Sequence, residues 1–193
     1  RLVGREAARQ PALMGGRQVP ELAEASPMPP GRHALELSLL GAMAPVSYVY
    51  PAIMPWVITR MVNLCLEHGN GSLAPLAFVF QGLLCSVSGQ HEQGQAFGKL
   101  ALELERQRPD RSQYAPVIHL YVNFINHWTR SLDSGLELGL RAVNVALQHG
   151  QFDYAGWLAM NGCLGLFYRG LPLPGALQRS VEQLRLVRDT ICY

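Results

Sequence analysis

Three long stretches of this chain carry no ionised side chain, and that restricts what it can fold into more than any other feature. From Leu37 to Thr59 there are 23 consecutive residues without Asp, Glu, Lys or Arg; from His68 to His91 there are 24, and from Ser112 to Thr129 there are 18. A membrane-spanning helix needs about 20 mostly apolar residues, so length alone admits that reading. The contents argue against it. Pro45, Pro51 and Pro55 interrupt the first stretch, Gln81, Ser86 and Gln90 lie in the second, and His119, Asn123, Asn126 and His127 lie in the third. Several amides and imidazoles per span are costly in lipid, and the mean hydropathy is only +0.08. No membrane insertion is expected, and no signal peptide is visible. The stretches read instead as helices buried on nearly all sides, alternating with amphipathic partners.

Internal periodicity supports that alternation. Leu66–Asn70 (LEHGN) recurs as Leu147–Gln151 (LQHGQ), an offset of 81, or two units of about forty; Gly94, Gly135 and Gly175 are spaced by 41 and 40. Gly98 answers to Gly139, and Gln81-Gly82 to Asn161-Gly162. Each unit reads as two helices. Those over 74–88, 113–130 and 153–169 hold almost no charge, and those over 91–108, 133–149 and 174–190 carry it. The helical spacing i, i+3, i+4, i+7 selects Phe97, Leu100, Ala101 and Leu104 as a core stripe, then Leu136, Leu140, Val143 and Leu147, then Leu177, Val181, Leu184 and Ile191. Trp157 is expected in the core with them. Gly69, Gly89, Gly150 and Gly170 signal helix ends, and Ser72, Asp110 and Asp153 suit N-caps. Glycine inside a helix costs about 1 kcal/mol relative to alanine, so Gly94, Gly98, Gly135 and Gly139 imply close approach of a neighbouring helix.

The fold class that follows is all-α, an α–α superhelix of helical hairpins in the tetratricopeptide-like manner. The expected organisation is an irregular or short-helical segment over 1–31, then a helical-repeat domain over 32–193 with hairpins at about 32–69, 72–108, 111–149 and 151–191. Prolines and glycines break the first segment into short pieces around Val19–Ala25; helices are expected over 32–44 and 50–67, and Val46–Tyr50 is the one candidate strand. The chain starts at Arg1 and stops inside a helical pattern, which reads as a piece of a longer protein.

Composition narrows the function. Of the 193 residues 49% are hydrophobic and 16% charged, against about 25% charged in an average domain, which excludes intrinsic disorder. A net charge of +2 is too small for a nucleic-acid surface. Cys65, Cys85, Cys163 and Cys192 lie far apart without a CxxC pair and read as buried, reduced thiols of a cytoplasmic protein.

No chemistry emerges from the motifs. Gly94–Ala101 (GQAFGKLA) resembles a phosphate loop, but has three residues between its glycines instead of four, and Leu100 where Ser or Thr is required. The histidines form no HxxxH set with a third ligand; His119 and His127 read as packed, hydrogen-bonded groups. No GxSxG occurs, Cys85 and Cys163 sit in apolar runs, and Glu103 and Glu105 point to different helix faces. Trp56, Trp128, Trp157, Tyr121 and Tyr154 lack basic interleaving and read as core. No catalytic residue, cofactor or metal is expected. One binding feature survives: Gln81, Asn123 and Asn161 place amides at related positions of the uncharged helices, where an extended peptide backbone could be read.

Met61–Leu104 (MVNLCLEHGNGSLAPLAFVFQGLLCSVSGQHEQGQAFGKLALEL) and Ile125–Met160 (INHWTRSLDSGLELGLRAVNVALQHGQFDYAGWLAM) resemble the helical region of large bacterial multidomain signalling proteins. In those, a Ser/Thr protein kinase and a predicted signal-transduction ATPase precede tetratricopeptide-like helices. A GAF domain with a histidine-kinase or guanylate-cyclase output often follows. The resemblance rests on the HGN turn followed by Ser and an aromatic-rich helix, on the FGKLAL helix, on His127-Trp128, and on Gly150–Ala155. It implies a non-catalytic scaffold or regulatory segment that contacts proteins or peptides, chiefly flanking domains of its own parent chain. The alternatives are a ligand- or peptide-sensing module with a concave groove, and an all-α enzyme domain.

Overall fold

The computed structural model describes residues 2–43, 49–170 and 172–191. They are helical, with 78% of residues in helix and no strand among those described. Helix α1 spans Leu2–Met14, a 3₁₀ segment Val19–Glu24, α2 Arg32–Met43, α3 Met54–His68, α4 Ala74–Val87 and α5 His91–Arg106. Helix α6, Tyr114–Leu120, runs on through a π-turn over Tyr121–Ile125 and a 3₁₀ turn over Asn126–Trp128; α7 is Leu132–Gln148, α8 Phe152–Tyr168 and α9 Leu173–Ile191. The chain divides into two compact units, Arg1–Pro109 and Asp110–Tyr193. No described helix is long and apolar enough to cross a membrane.

In the first unit α4 and α5 form the most extensive pair, with α3 against α4 and the 3₁₀ segment against α5. Phe97, Leu100, Ala101 and Leu104 are buried, as their spacing predicts. Phe97 stacks on Phe78 at 6.2 Å between ring centroids. Gly94 meets α4 so closely that an added Cβ would lie 2.8 Å from the Gly82 carbonyl oxygen and would also strike Ser86 Oγ. This is the close backbone approach that the glycine pattern implies. The two glycines Gly89 and Gly150 hold positive φ of 80° and 68°. Each lets the following glutamine N–H fold back onto the helix, Gln90 to the Cys85 carbonyl and Gln151 to the Ala146 carbonyl, both at 2.8 Å.

Several local expectations need correction. A thirteen-residue helix, α1, forms where proline and glycine suggested fragments, with Pro11 inside it and no residue fully buried. Polar contacts hold it: Arg9 pairs with Glu67 at 2.8 Å, and the buried Asn63 amide donates to the Glu6 carboxylate at 2.7 Å. Pro27 and Asn70 make an isolated parallel bridge, so the proline-rich stretch clasps the HGN turn; Asn70 N–H donates to the Ser26 carbonyl at 2.8 Å. The N-caps are not those expected. Leu73 and Gln151 occupy the cap positions of α4 and α8 without side-chain capping bonds, Gln151 donating instead to the Ser112 carbonyl at 2.7 Å, and the Ser112 hydroxyl donates to Asp110 at 3.1 Å. Most of the candidate strand, 46–48, lies outside the described residues.

In the second unit the buried seam of α7 is Gly135, Gly139, Ala142, Val143 and Ala146. Leu136, Leu140 and Leu147 only flank it, half-buried. Leu177 and Leu184 are each 66% exposed and Trp157 is 42% exposed, against expectation. Helix α9 packs on α8, and Ala176 is its buried residue. Trp157 lies opposite the face of α8 that buries Ala155, Leu158, Ala159, Gly162 and Leu166. Trp128 is likewise exposed, while Tyr121 is buried.

Two alanine substitutions separate packing from helix propensity. Gly94→Ala should lower unfolding free energy by about 1–3 kcal/mol, because overpacking outweighs the propensity gain. Gly156→Ala, where a Cβ meets nothing within 4 Å, should raise it by about 0.5–1 kcal/mol. Urea denaturation of both variants checks the pair.

Candidate functional site

Two of the three amides singled out from the sequence come together; the third does not. Gln81, in the first unit, turns its amide onto Cys85 Sγ of its own helix at 3.8 Å, and its Oε1 is buried without a partner. Asn123 and Asn161 share a cleft of about 330 Å³ in the second unit, walled by the π-turn, α7 and α8. Its other polar wall groups are Asn126, His127 and Tyr168, and Leu132, Leu136, Leu158 and Leu164 supply much of the apolar surface.

The π-turn positions Asn123. Within it Asn126 N–H donates to the Tyr121 carbonyl, one residue further back than in an α-helix, and such widened turns are frequent at functional sites. The Asn126 side chain closes the connection to α7, donating to Ser134 Oγ at 3.1 Å and to the Ser131 carbonyl at 3.4 Å. Gly135 makes room for it, since a Cβ there would lie 2.8 Å from Asn126 Nδ2. The sequence analysis missed this role of Asn126; a buried amide one helical turn before a Ser-x-x-Ser helix start was the available signal.

Behind the cleft, Asn123 Nδ2 donates to His119 Nδ1 at 3.1 Å. The His119 ring packs against Trp157 at 5.4 Å, Tyr154 at 5.9 Å and Phe124 at 6.1 Å between centroids. Burial pulls the His119 pKa down from 6.5 to about 4, so at neutral pH the ring is uncharged and its Nδ1 accepts. His127, by contrast, is exposed beside Trp128, with ring centroids 4.9 Å apart; the two histidines do not form a pair.

Burial pushes the Cys65 thiol up to about 12 and raises Cys85 as well, so both stay protonated. Glu103 is held in a surface pair with Arg106 at 2.7 Å, while Glu105 is buried. Among the described residues no three His, Cys, Asp or Glu side chains cluster as a metal site would need. The phosphate-loop look-alike lies in the helical body of α5, where backbone amides are already committed to helix bonds.

Comparison with known proteins gives one informative likeness. Over 133 residues, 67% of this chain, the sequence is 24% identical to "Hybrid signal transduction histidine kinase G" of Dictyostelium discoideum. The chain spans about 4% of that protein's length. No family model matches, and no solved structure matches.

The buried imidazole sets a pH dependence. Between about pH 6.5 and pH 4 the unfolded chain takes up a proton on His119 that the folded chain refuses. Stability from this group is therefore full above pH 6.5 and lost as pH falls towards 4. The loss should reach about 3 kcal/mol at most, from about 1.4 kcal/mol per pKa unit. In His119→Gln the difference in unfolding free energy between pH 7 and pH 4.5 should shrink by about 2 kcal/mol, read from urea titrations at both pH values.

Proposed function

We propose that this chain is a non-catalytic helical segment of a signal-transduction protein, working as a scaffold through protein–protein contacts. In this reading the hairpins stack as a tetratricopeptide-like α–α superhelix in the cytoplasm, and the kinase or ATPase chemistry lies in other parts of the parent protein. The relative's name, a signal transduction histidine kinase, supports the class. Recurrence supports the stacking: Gly94 and Gly135 are each the fourth residue of their helices, and Gly175 is the third of its own.

The observation that carries the proposal is the outer face of α8. Trp157, Met160, Leu164, Phe167 and Tyr168 are all exposed there, at 42% to 69%. They follow helical spacing, and no ionised residue occurs between Asp153 and Arg169. An uncharged aromatic stripe on one helix face costs solubility when left bare, and such faces are typical protein-contact surfaces. The partner is a flanking domain of the same parent chain, or a peptide from it, and not nucleic acid or a bilayer.

Replacing Met160 and Phe167 together by serine should leave the helical signal and the unfolding midpoint nearly unchanged. It should weaken binding to the separately expressed flanking domains at least tenfold in calorimetry. Equal affinity would refute the α8 face as the contact. In the same instrument the chain should give no saturable heat with ATP; saturable binding that Lys99→Ala abolishes would refute the non-catalytic reading.

A further inference from the structure

The cleft beside that stripe has a chemistry of its own. Asn123 spends an amide hydrogen on His119 and Asn161 donates to the Trp157 carbonyl of its own helix at 2.9 Å. Neither carbonyl oxygen accepts a hydrogen bond from a described residue. Two amides with an uncommitted acceptor oxygen therefore line one cleft, on separate helices. No carboxylate, lysine, arginine or thiol lines it. The imidazole of His127 is the basic group on its wall, so a ligand carrying a positive charge would lose hydration there without a counter-charge. The lining includes Gly135, Gly139, Gly162 and Gly165, so backbone as well as leucine side chains is presented to an occupant. The volume, about 330 Å³, is at the small end of ligand pockets.

From this we infer that the cleft binds a small, uncharged, ring-containing molecule bearing an N–H donor, the chemical class of which indole is the simplest member. The ring lies against the glycines and leucines. Its N–H donates to the oxygen of Asn161 or Asn123. This binding does not rest on the scaffold reading, because Trp157, Met160 and Phe167 do not line the cleft.

The test is a titration of the ¹⁵N-labelled full chain with indole and with 1-methylindole, read by NMR. Indole should shift the Asn123 and Asn161 side-chain amides and the amides of Gly135, Gly139, Gly162 and Gly165, and saturate. 1-Methylindole, the same ring without its donor, should bind about tenfold more weakly, the effect of one hydrogen bond. In one of Asn161→Leu and Asn123→Leu indole affinity should fall by a similar factor and the preference over 1-methylindole should shrink; no change in either would overturn the assignment. Equal binding of the two ligands to the wild-type chain, shifts confined to the exposed Trp128 and Trp157, or no saturable shift at millimolar indole would each overturn the assignment. The wild-type comparison needs no variant to fold, and its failure leaves the serine-variant result on the α8 stripe untouched.

Discussion

Helix α4 has no face for water, and the first unit is arranged around that fact. Leu76, Ala77, Phe78, Val79 and Phe80 are consecutive and each at most 8% exposed. Successive residues of a helix point about 100° apart, so five in a row cover every direction. A helix with that sequence must be enclosed by other helices. Helices α3 and α5 pack against it. Helix α3 is in turn buried from Val57 to Leu66 except at Arg60, and so needs cover of its own from α1 and α2. That outer cover is polar. Arg60 reaches Glu36 of α2 at 2.7 Å, and Arg9 of α1 reaches Glu67. Charge is thus sparse on the enclosed helices, with Arg60 and the buried Glu105 as exceptions.

The second unit follows the same rule less completely. Helix α8 is as charge-free between its ends as α4, yet only one side of it is covered, and its aromatic side chains remain in water. Its ties to the rest of the unit include close contacts of Gly162 with Leu140 and Gly165 with Leu136, the buried Leu158 and Leu166, ring contacts of Tyr154 and Trp157 with His119, and an ion pair between Arg169 and Asp133 at 2.6 Å. The other side leaves Met160, Leu164 and Phe167 exposed.

That contrast explains which parts of the fold were legible in the sequence. The helix ends at Gly69, Gly89, Gly150 and Gly170 were readable because each must adopt positive φ, which a glycine signals directly. The Phe97 stripe was readable because charged residues mark the opposite face of α5. Trp157 was not, because α8 is apolar on all faces and periodicity cannot choose between them. The face that packs buries Ala155, Leu158, Ala159, Gly162 and Leu166, with Gly162 close against Leu140 of α7, a choice that hydrophobicity alone does not reveal. Leu177 and Leu184 misled for the converse reason: a correct amphipathic stripe does not say whether a partner covers it. In the candidate site, repeat position singled out Gln81, Asn123 and Asn161 alike, but not which of them share a cleft. All three amides bond back to the residue four before or after them; Gln81 lies in the first unit, and Asn123 and Asn161 line one cleft in the second. Helix α1 escaped notice because ion pairs, not an apolar stripe, hold it.

The π-turn shapes the cleft through a single widened turn. Helices α5, α7 and α9 begin at His91, Leu132 and Leu173, 41 residues apart in both steps, so the π-turn over Tyr121–Ile125 does not answer to a longer repeat interval. The geometric consequence falls on Asn123 and Asn126, the residues at and just after the widening. Asn126 gains the reach to hold the start of α7, and Asn123 is left on the cleft wall with its oxygen unpaired. An ideal α-helix over the same residues would advance Asn126 by about 100° around the axis, away from Ser131 and Ser134. The π-turn is therefore the irregularity that shapes the site, while the interval of 41 residues recurs from α7 to α9, where no π-turn is described.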